Sequence, residues 1–207
     1  MAQSASNRKL KIMVSSTVYG VEEMLDQVYA ALYSYGYTVW MSRAGTIPVR
    51  PPKSNFQNCI WAVENCDVFL GIITNRYGSG RQGSGLSITH REMLRAIEIQ
   101  KPAWFLVDHD VVVARQLLKQ FRFTKHHPPR KKQGFVFEPN SVLDDLRILE
   151  MYEAAMRIDV PLSQRTGNWV QEYIATPDVL RFLEAQFSDV AELKAFLSSY
   201  ETQEKKL

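Results

Sequence analysis

The fold of this chain is decided by residues 66–107, which read CDVFLGIITNRYGSGRQGSGLSITHREMLRAIEIQKPAWFLV. Residues 67–74 and 102–107 are apolar almost throughout, which is typical of strands that helices cover on both faces. Between them, a glycine-rich loop leads into residues 88–100, whose apolar spacing predicts a helix. The order strand, loop, helix, strand predicts a βαβ unit with two parallel strands.

The same alternation begins upstream of this unit. Residues 9–15 predict a first strand, residues 21–35 an amphipathic helix, and residues 37–41 a second strand. A loop with three prolines follows, and a further helix leads to Cys66. Four strands that alternate with helices predict an α/β fold with a flavodoxin-like parallel sheet of order 2-1-3-4. Its ligand crevice would open between the carboxyl ends of strands one and three.

The pattern changes after residue 108. Residues 111–121 predict a helix and residues 135–137 a short fifth strand, whereas the chain from Ser141 onward has a helical pattern. We therefore expect an α/β domain over residues 9–138. Residues 139–207 are expected to form a helical extension that packs on it.

Composition limits the class of protein. Of the 207 residues, 45% are hydrophobic and 23% charged, as in ordinary folded domains, and a net charge of +3 does not favour nucleic acid as a partner. No apolar run reaches the roughly 18 residues of a membrane span, and residues 1–8 lack the apolar core of a secretory signal. Cys59 and Cys66 are two helical turns apart, too far for a disulfide. We therefore expect reduced thiols in a cytoplasmic protein, with no metal site and no membrane partner.

Glu92 is the strongest candidate for catalysis. It lies near the start of the helix that opens at the mouth of the crevice. A carboxylate in this position can stabilise positive charge on a sugar carbon during glycosidic cleavage. However, Thr89 and Glu92 also match the T-x-x-E pattern of a capping box, in which Glu92 would only stabilise the helix start. The sequence leaves both interpretations open.

Polar residues at the ends of strands one and three are candidate ligand contacts. They are Ser15, Ser16, Thr17, Asn75, Arg76 and Tyr77. The hydroxyls of strand one suit a ribose or a phosphate, but they also suit the turn into the next helix. Arg76 and Tyr77 offer a cation and a stacking face for a planar ring. Packing of Tyr77 under the loop and pairing of Arg76 with an acid such as Asp67 are the structural alternatives.

Two loops carry less specific signals. Gly78, Gly80 and Gly83 form a G-x-G-x-x-G pattern, but it follows the third strand and therefore does not match the context of a dinucleotide fingerprint. Gly78 and its neighbours still offer backbone N–H groups to a phosphate, and a flexible loop is the alternative. The basic loop 125–132, with two adjacent histidines, favours solvent exposure over metal or nucleic-acid binding.

Three motifs resemble, in the same order, a bacterial family known as a domain of unknown function and numbered four thousand and sixty-two. They are IMVSSTVYGVEE, CDVFLGIITNRYGSG and LSITHREMLRAIEIQKPAWFLV, and the resemblance covers roughly residues 9–107. That family is distantly similar to Toll/interleukin-receptor (TIR) domains and often precedes large signalling or defence NTPases. The resemblance implies a TIR-like core with a self-association loop at residues 42–55. It also implies a homo-oligomer or a signalling protein as partner.

The same resemblance implies an activity. In TIR domains that cleave NAD, a glutamate in the helix after strand three is catalytic, and it corresponds to Glu92, with Ser87 at the place of the preceding serine. The segment also resembles nucleoside deoxyribosyltransferases. Both similarities imply a nucleotide ligand, with NAD as a substrate and no resident cofactor. Nicotinamide leaves NAD as a neutral molecule, so one carboxylate suffices. The alternatives are a non-catalytic module that senses a nucleotide or self-assembles, and a scaffold in which Glu92 is only a cap.

Overall fold

The computed structural model describes residues 8–78, 85–124, 132, 134–167 and 169–204. Within them, five strands form one parallel sheet of order β2-β1-β3-β4-β5, which confirms the predicted flavodoxin-like α/β fold. The strands are β1 (Lys11–Ser16), β2 (Thr38–Met41), β3 (Val68–Ile73), β4 (Ala103–Asp108) and β5 (Val170–Tyr173).

Helices cover both faces of the sheet. They are α1 (Glu22–Ser34), α2 (Asn55–Asn65), α3 (Ile88–Glu98), α4 (His109–Arg122), α5 (Arg147–Ala155), α6 (Thr176–Phe187) and α7 (Val190–Glu204). Leu70 and Ile72 of β3 pack toward α1, α6 and α7, whereas Phe69 and Ile73 pack toward α2, α3, α4 and α5. Every residue of β3 is buried, because this central strand has a neighbour on each side and helices on each face. None of the described helices combines the length and the hydropathy that a membrane crossing needs.

Serine side chains cap the N-termini of α2 and α3, the two helices that border the crevice. Ser54 caps α2 in a capping box, accepting from the Gln57 backbone N–H at 3.3 Å and donating its own N–H to the Gln57 side chain at 2.8 Å. Ser87 caps α3 and accepts from the His90 backbone N–H at 3.2 Å. The alternative interpretation of Thr89 and Glu92 as a capping box is therefore wrong. The cap at Ser87 places Glu92 in the second turn of α3, where its carboxyl cannot reach the N-cap backbone.

The fifth strand is not where the sequence predicted it. Residues 135–137 form no strand, and the Val136 side chain is 82% exposed. Instead, β5 pairs with β4 in a parallel register that runs from Phe105 opposite Val170 to Asp108 opposite Tyr173. The prediction that the chain is helical throughout from Ser141 onward is therefore wrong at β5. This segment supplies the edge strand as well as α5, α6 and α7, and four residues are too few to show a strand pattern in the sequence.

Candidate functional site

A cavity of about 500 Å³ opens at the carboxyl end of β1. Its wall is formed by the end of β1 with the turn that follows, by the loop after β2, and by the first turns of α2 and α3. The chain leaves β1 and β3 toward opposite faces of the sheet, which opens a crevice at this point of the strand order. The cavity falls within the size range of ordinary small-molecule sites, about 300–1,000 Å³.

The Glu92 carboxyl lies in the wall of this cavity and is only 4% exposed. Its Oε2 atom accepts a hydrogen bond from the Ser15 hydroxyl at 2.5 Å. Burial raises the pKa of Glu92, while hydrogen bonds from Ser15 and from the Cys59 thiol act in the opposite direction. Burial and the nearby carboxylate also raise the pKa of Cys59. The net result is a raised pKa, so burial stabilises the neutral form of this carboxyl relative to that of a solvent-exposed glutamate.

The local sequence explains how Glu92 reaches β1. The cap at Ser87 sets where α3 begins and therefore which side chains share its buried face. They are Thr89, Glu92, Met93 and Ala96. This face packs against the end of β1, where Ser15 is itself buried. Glu92 therefore takes a position in the helix that an apolar residue would otherwise occupy. A carboxyl at such a position is costly to bury, which marks it as a candidate functional group.

Ser16, Thr17 and Gly78 line the same cavity. Thr17 is buried, and Ser16 donates its hydroxyl to the Thr17 carbonyl at 2.9 Å. Gly78 has a φ of +80°, and a Cβ at this position would lie 3.0 Å from the Thr17 Oγ1 atom. Only glycine fits this backbone and this approach without strain. The structure thus brings together Ser15, Ser16, Thr17, Gly78 and Glu92 among the predicted site residues.

Two other predicted residues, Tyr77 and Ser87, lie outside the cavity wall and support α3. The Tyr77 hydroxyl is 2.8 Å from His90 Nδ1 and accepts from the Ser87 backbone N–H at 3.3 Å. Burial raises the pKa of Tyr77 and lowers the pKa of His90. Because Tyr77 is fully buried, it presents no open face on which a ring could stack. The packing alternative for Tyr77 thus matches the geometry.

Asn75 and Arg76 also lie outside the wall of this cavity. The Arg76 guanidinium donates to the backbone carbonyls of Asn140 and Ser141, at 3.4 and 3.2 Å. The Asn75 amide lies 3.5 Å from Asp110. Asp67, the suggested acid for Arg76, pairs instead with Arg8 at 2.7 Å. Asn75 therefore connects the end of β3 to α4, and Arg76 connects it to the segment before α5.

Sequence reasoning missed several residues that shape the site. Asn58 is buried on α2 and holds the preceding loop, accepting from the Arg50 N–H at 3.0 Å and donating to the Lys53 carbonyl at 3.3 Å. A polar residue four positions before Ala62 on the buried face of α2 was the available signal. Arg147 donates to the Gly85 carbonyl at 2.5 Å and lies 4.4 Å from the centre of the Tyr77 ring. No local pattern indicates this contact, which spans 62 residues of sequence.

Most of the glycine loop and of the basic loop lies outside the residues that the structure describes. Gly80 and Gly83 lie outside the described residues, as does the basic loop except for Lys132. Among the residues that the structure describes, no group of three or more His, Cys, Asp or Glu side chains is arranged to hold a metal ion. Cys59 and Cys66 are free thiols.

The model of a domain of unknown function, DUF4062, matches residues 11–143, which is more than half of the chain. The chain belongs to the DUF4062 family. The family resemblance drawn from three motifs is thus confirmed, and the match extends well beyond residue 107. Comparison with curated proteins gave no match. Arg147 lies outside the range that matches DUF4062, yet it donates to the Gly85 carbonyl, two residues before the cap of α3.

Proposed function

We propose that this DUF4062 domain binds a nucleotide in the cavity around Glu92 and hydrolyses its N-glycosidic bond, with NAD or a nucleoside as substrate. One observation carries the proposal. The Glu92 carboxyl is buried, is held by Ser15 at 2.5 Å, and lies in the wall of a cavity at the point where the strand order changes direction. Ligands of open parallel sheets bind at this point.

The proposed reaction requires Glu92 in its ionised form. The carboxylate would stabilise the positive charge that develops on the ribose carbon while the bond to the base breaks. The base leaves with the bonding electron pair, and a water molecule adds to the ribose carbon and loses a proton. Nicotinamide leaves without protonation, whereas the base of an ordinary nucleoside leaves as an anion and takes up the proton that the water releases. The hydroxyls of Ser16, Thr17 and Thr89 line the cavity and suit the ribose.

The resemblance to TIR domains supports the same proposal and extends it to a role in signalling or defence. A cytoplasmic location is part of the proposal, and the free thiols of Cys59 and Cys66 support it, since reduced cysteines are the rule in reducing compartments.

Release of the base tests this function directly. The purified chain is incubated with NAD and with a panel of nucleosides, and the free base is followed by chromatography. We expect Glu92→Gln to lose at least about 100-fold in rate, because a catalytic carboxylate contributes about 10²-fold or more. Glu98→Gln is the matched control, since Glu98 lies on the same helix with an exposed side chain. Release that persists in Glu92→Gln, or no release with any substrate, contradicts the proposal.

A second candidate is a module that senses a nucleotide or self-assembles without turnover. Two observations favour it. Burial favours the neutral form of Glu92, which can donate a hydrogen bond to a ligand. In addition, the loop after β2 lines the cavity and also exposes Val49, whose side chain is 73% accessible. A ligand in the cavity would thus contact the segment that the TIR resemblance assigns to self-association. Sedimentation analysis with and without NAD separates the candidates: assembly that depends on NAD without nicotinamide release favours this one.

A further inference from the structure

A second and larger cavity, of about 810 Å³, lies beside the start of β4 and the edge strand β5. It shares no lining residue with the cavity around Glu92. Its described wall combines aromatic side chains with cations, among them Trp104, Trp169, Phe196, Lys101, Arg157 and Arg181. No role in the proposed hydrolysis accounts for this combination.

Two residues in this wall have a costly backbone conformation. Gln100 and Arg157 both have a φ of +52°, and they are the non-glycine residues with positive φ in the part of the chain that the structure describes. They follow α3 and α5, at the position that glycine usually occupies after a helix. Glycine would remove the strain at both positions, but it would also remove the side chains from the cavity wall. Both exceptions to the glycine preference line the same cavity.

Arg157 also carries an unmatched hydrogen-bond donor. Its Nε atom is buried and meets no acceptor among the described residues. A buried donor without a partner destabilises a folded protein unless an incoming group satisfies it. Since Arg157 also lines the cavity, a bound acceptor that reaches this atom would satisfy a donor that no described residue uses.

The other charged groups of this wall are already engaged. Arg181 pairs with Asp178, and Glu172 pairs with His109. The Lys101 ammonium donates to the backbone carbonyls of Glu64 and Cys66, at 3.1 and 3.0 Å. This leaves the Arg157 guanidinium as the cation suited to an incoming acceptor.

The aromatic side chains supply flat apolar surface in the wall of the same cavity. The Trp104 ring meets Phe196 edge-on, with centroids 6.3 Å apart, and its indole N–H donates to Gln186 at 3.3 Å. Trp169 is 75% exposed, which is unusual for so large an apolar side chain. Arg157 and the two indoles together match a ligand that has an aromatic ring at one end and an anionic group at the other.

We propose that this cavity binds a small planar anion, an aromatic ring that carries a carboxylate or a phosphate. The anionic group pairs with Arg157, and the ring packs against Trp104 and Trp169. This proposal is independent of any catalysis at Glu92.

Calorimetric titration with a matched pair of probes tests this proposal. Naphthalene-1-carboxylate carries the anion, and naphthalene-1-carboxamide has the same shape without the charge. We expect the carboxylate to bind at least about tenfold more tightly, because a charge-assisted hydrogen bond is roughly twice as strong as a neutral one. Arg157→Gln removes this preference, whereas the control Arg181→Gln keeps it and Trp169→Ala weakens both probes. Equal affinities, a preference that survives in Arg157→Gln, or no binding of either probe overturns the proposal.

Arg157→Gly separates a ligand contact from a structural one. Glycine relieves the strained backbone and removes the buried donor, so we expect the unfolding temperature to rise by about 2–4 °C. The preference for the carboxylate probe should be lost in the same variant. A fall in the unfolding temperature would show that Arg157 supports the fold, and it would overturn the proposal.

Discussion

The protein buries two glutamates in different ways. Glu92 on α3 and Glu153 on α5 are 4% and 6% exposed. Glu153 accepts hydrogen bonds from Arg122 at 2.8 and 3.0 Å and from Arg115 at 3.3 Å, so two cations share its charge. Within the described chain, Glu92 has only neutral donors, the Ser15 hydroxyl and the Cys59 thiol.

The difference separates a carboxylate with charged partners from one without them. A charge that holds two helices together must be compensated inside the fold, because an uncompensated buried charge costs several kcal/mol. Glu153 meets this requirement and connects α4 to α5. Glu92 does not meet it, and it faces a cavity. In the proposed reaction, the opposite charge for Glu92 would come from the oxocarbenium-like ribose of the bound substrate.

Removal of the paired carboxylate should have the largest effect on stability. Glu153→Ala leaves Arg122 buried without its partner, which we expect to lower the free energy of unfolding by about 3–5 kcal/mol. Denaturation in urea measures the change. Glu98→Ala serves as the control, since it removes an exposed carboxylate and should change stability little. A loss in Glu153→Ala no greater than in the control would show that the buried pair contributes nothing.

Removal of the Glu92 carboxyl, which has no charged partner among the described residues, should raise the free energy of unfolding instead of lowering it. The pKa of Glu92 is raised in the folded state, so the wild type has its full stability below the pKa of the unfolded chain and loses stability as pH rises through the folded pKa. Glu92→Gln has no charge to bury. We expect it to be more stable than the wild type at pH 8, by about 1.4 kcal/mol for each unit of pKa difference, and similar at pH 4. Urea denaturation at both values checks this, and a variant that is less stable at pH 8 contradicts it.

Part of this comparison could be predicted from the sequence. The apolar strands 67–74 and 102–107 have a clear pattern, and their alternation with helices was enough to predict the parallel sheet and its order. Glu92 could be predicted as a candidate because it lies near the start of the helix that opens at the mouth of the crevice. Its chemical state could not be predicted, since this depends on Ser15 and Cys59, which lie 77 and 33 positions away in the sequence.

Other features could not be predicted because they depend on distant contacts. The four residues of β5 are a strand only through pairing with β4, more than 60 residues earlier in the chain. Glu153 has no local signal that separates it from a solvent-exposed glutamate, because its partners lie on α4. The same holds for Arg147, whose contact with Gly85 fixes the end of a loop far away in the sequence.

Ser15→Ala tests whether the Ser15 hydroxyl controls the pKa of the buried Glu92 carboxyl. The Ser15 hydroxyl lowers the pKa of Glu92 against the effect of burial, so its loss should raise the pKa of Glu92 further. We expect the ¹³C carboxyl resonance of Glu92 to titrate at higher pH. Base release at pH 7, as proposed above, should fall about tenfold, which corresponds to about 1.4 kcal/mol for a hydrogen bond to a charged group.

Ser16→Ala is the matched control for the carboxyl titration alone, because this hydroxyl also lines the cavity but donates to the Thr17 carbonyl. An unchanged carboxyl titration in Ser15→Ala would show that Ser15 does not influence Glu92. A shifted titration without any base release from the wild type would leave this role intact and contradict only the proposed hydrolysis.

Removal of a third carboxylate, Glu172, should have the smallest effect on stability, because water screens its ion pair with His109. Its partner His109 has a raised pKa, chiefly through the hydrogen bond to Glu172, and both side chains are largely exposed. Since the pKa of His109 is raised on folding, the pair stabilises the protein below the pKa of the unfolded histidine, and this contribution is lost as pH rises through the folded pKa. Glu172→Gln should therefore lower the unfolding temperature slightly near pH 5.5, less at pH 9, and less again in about 1 M salt. A difference that is independent of both pH and salt would mean that the pair contributes nothing through its charge.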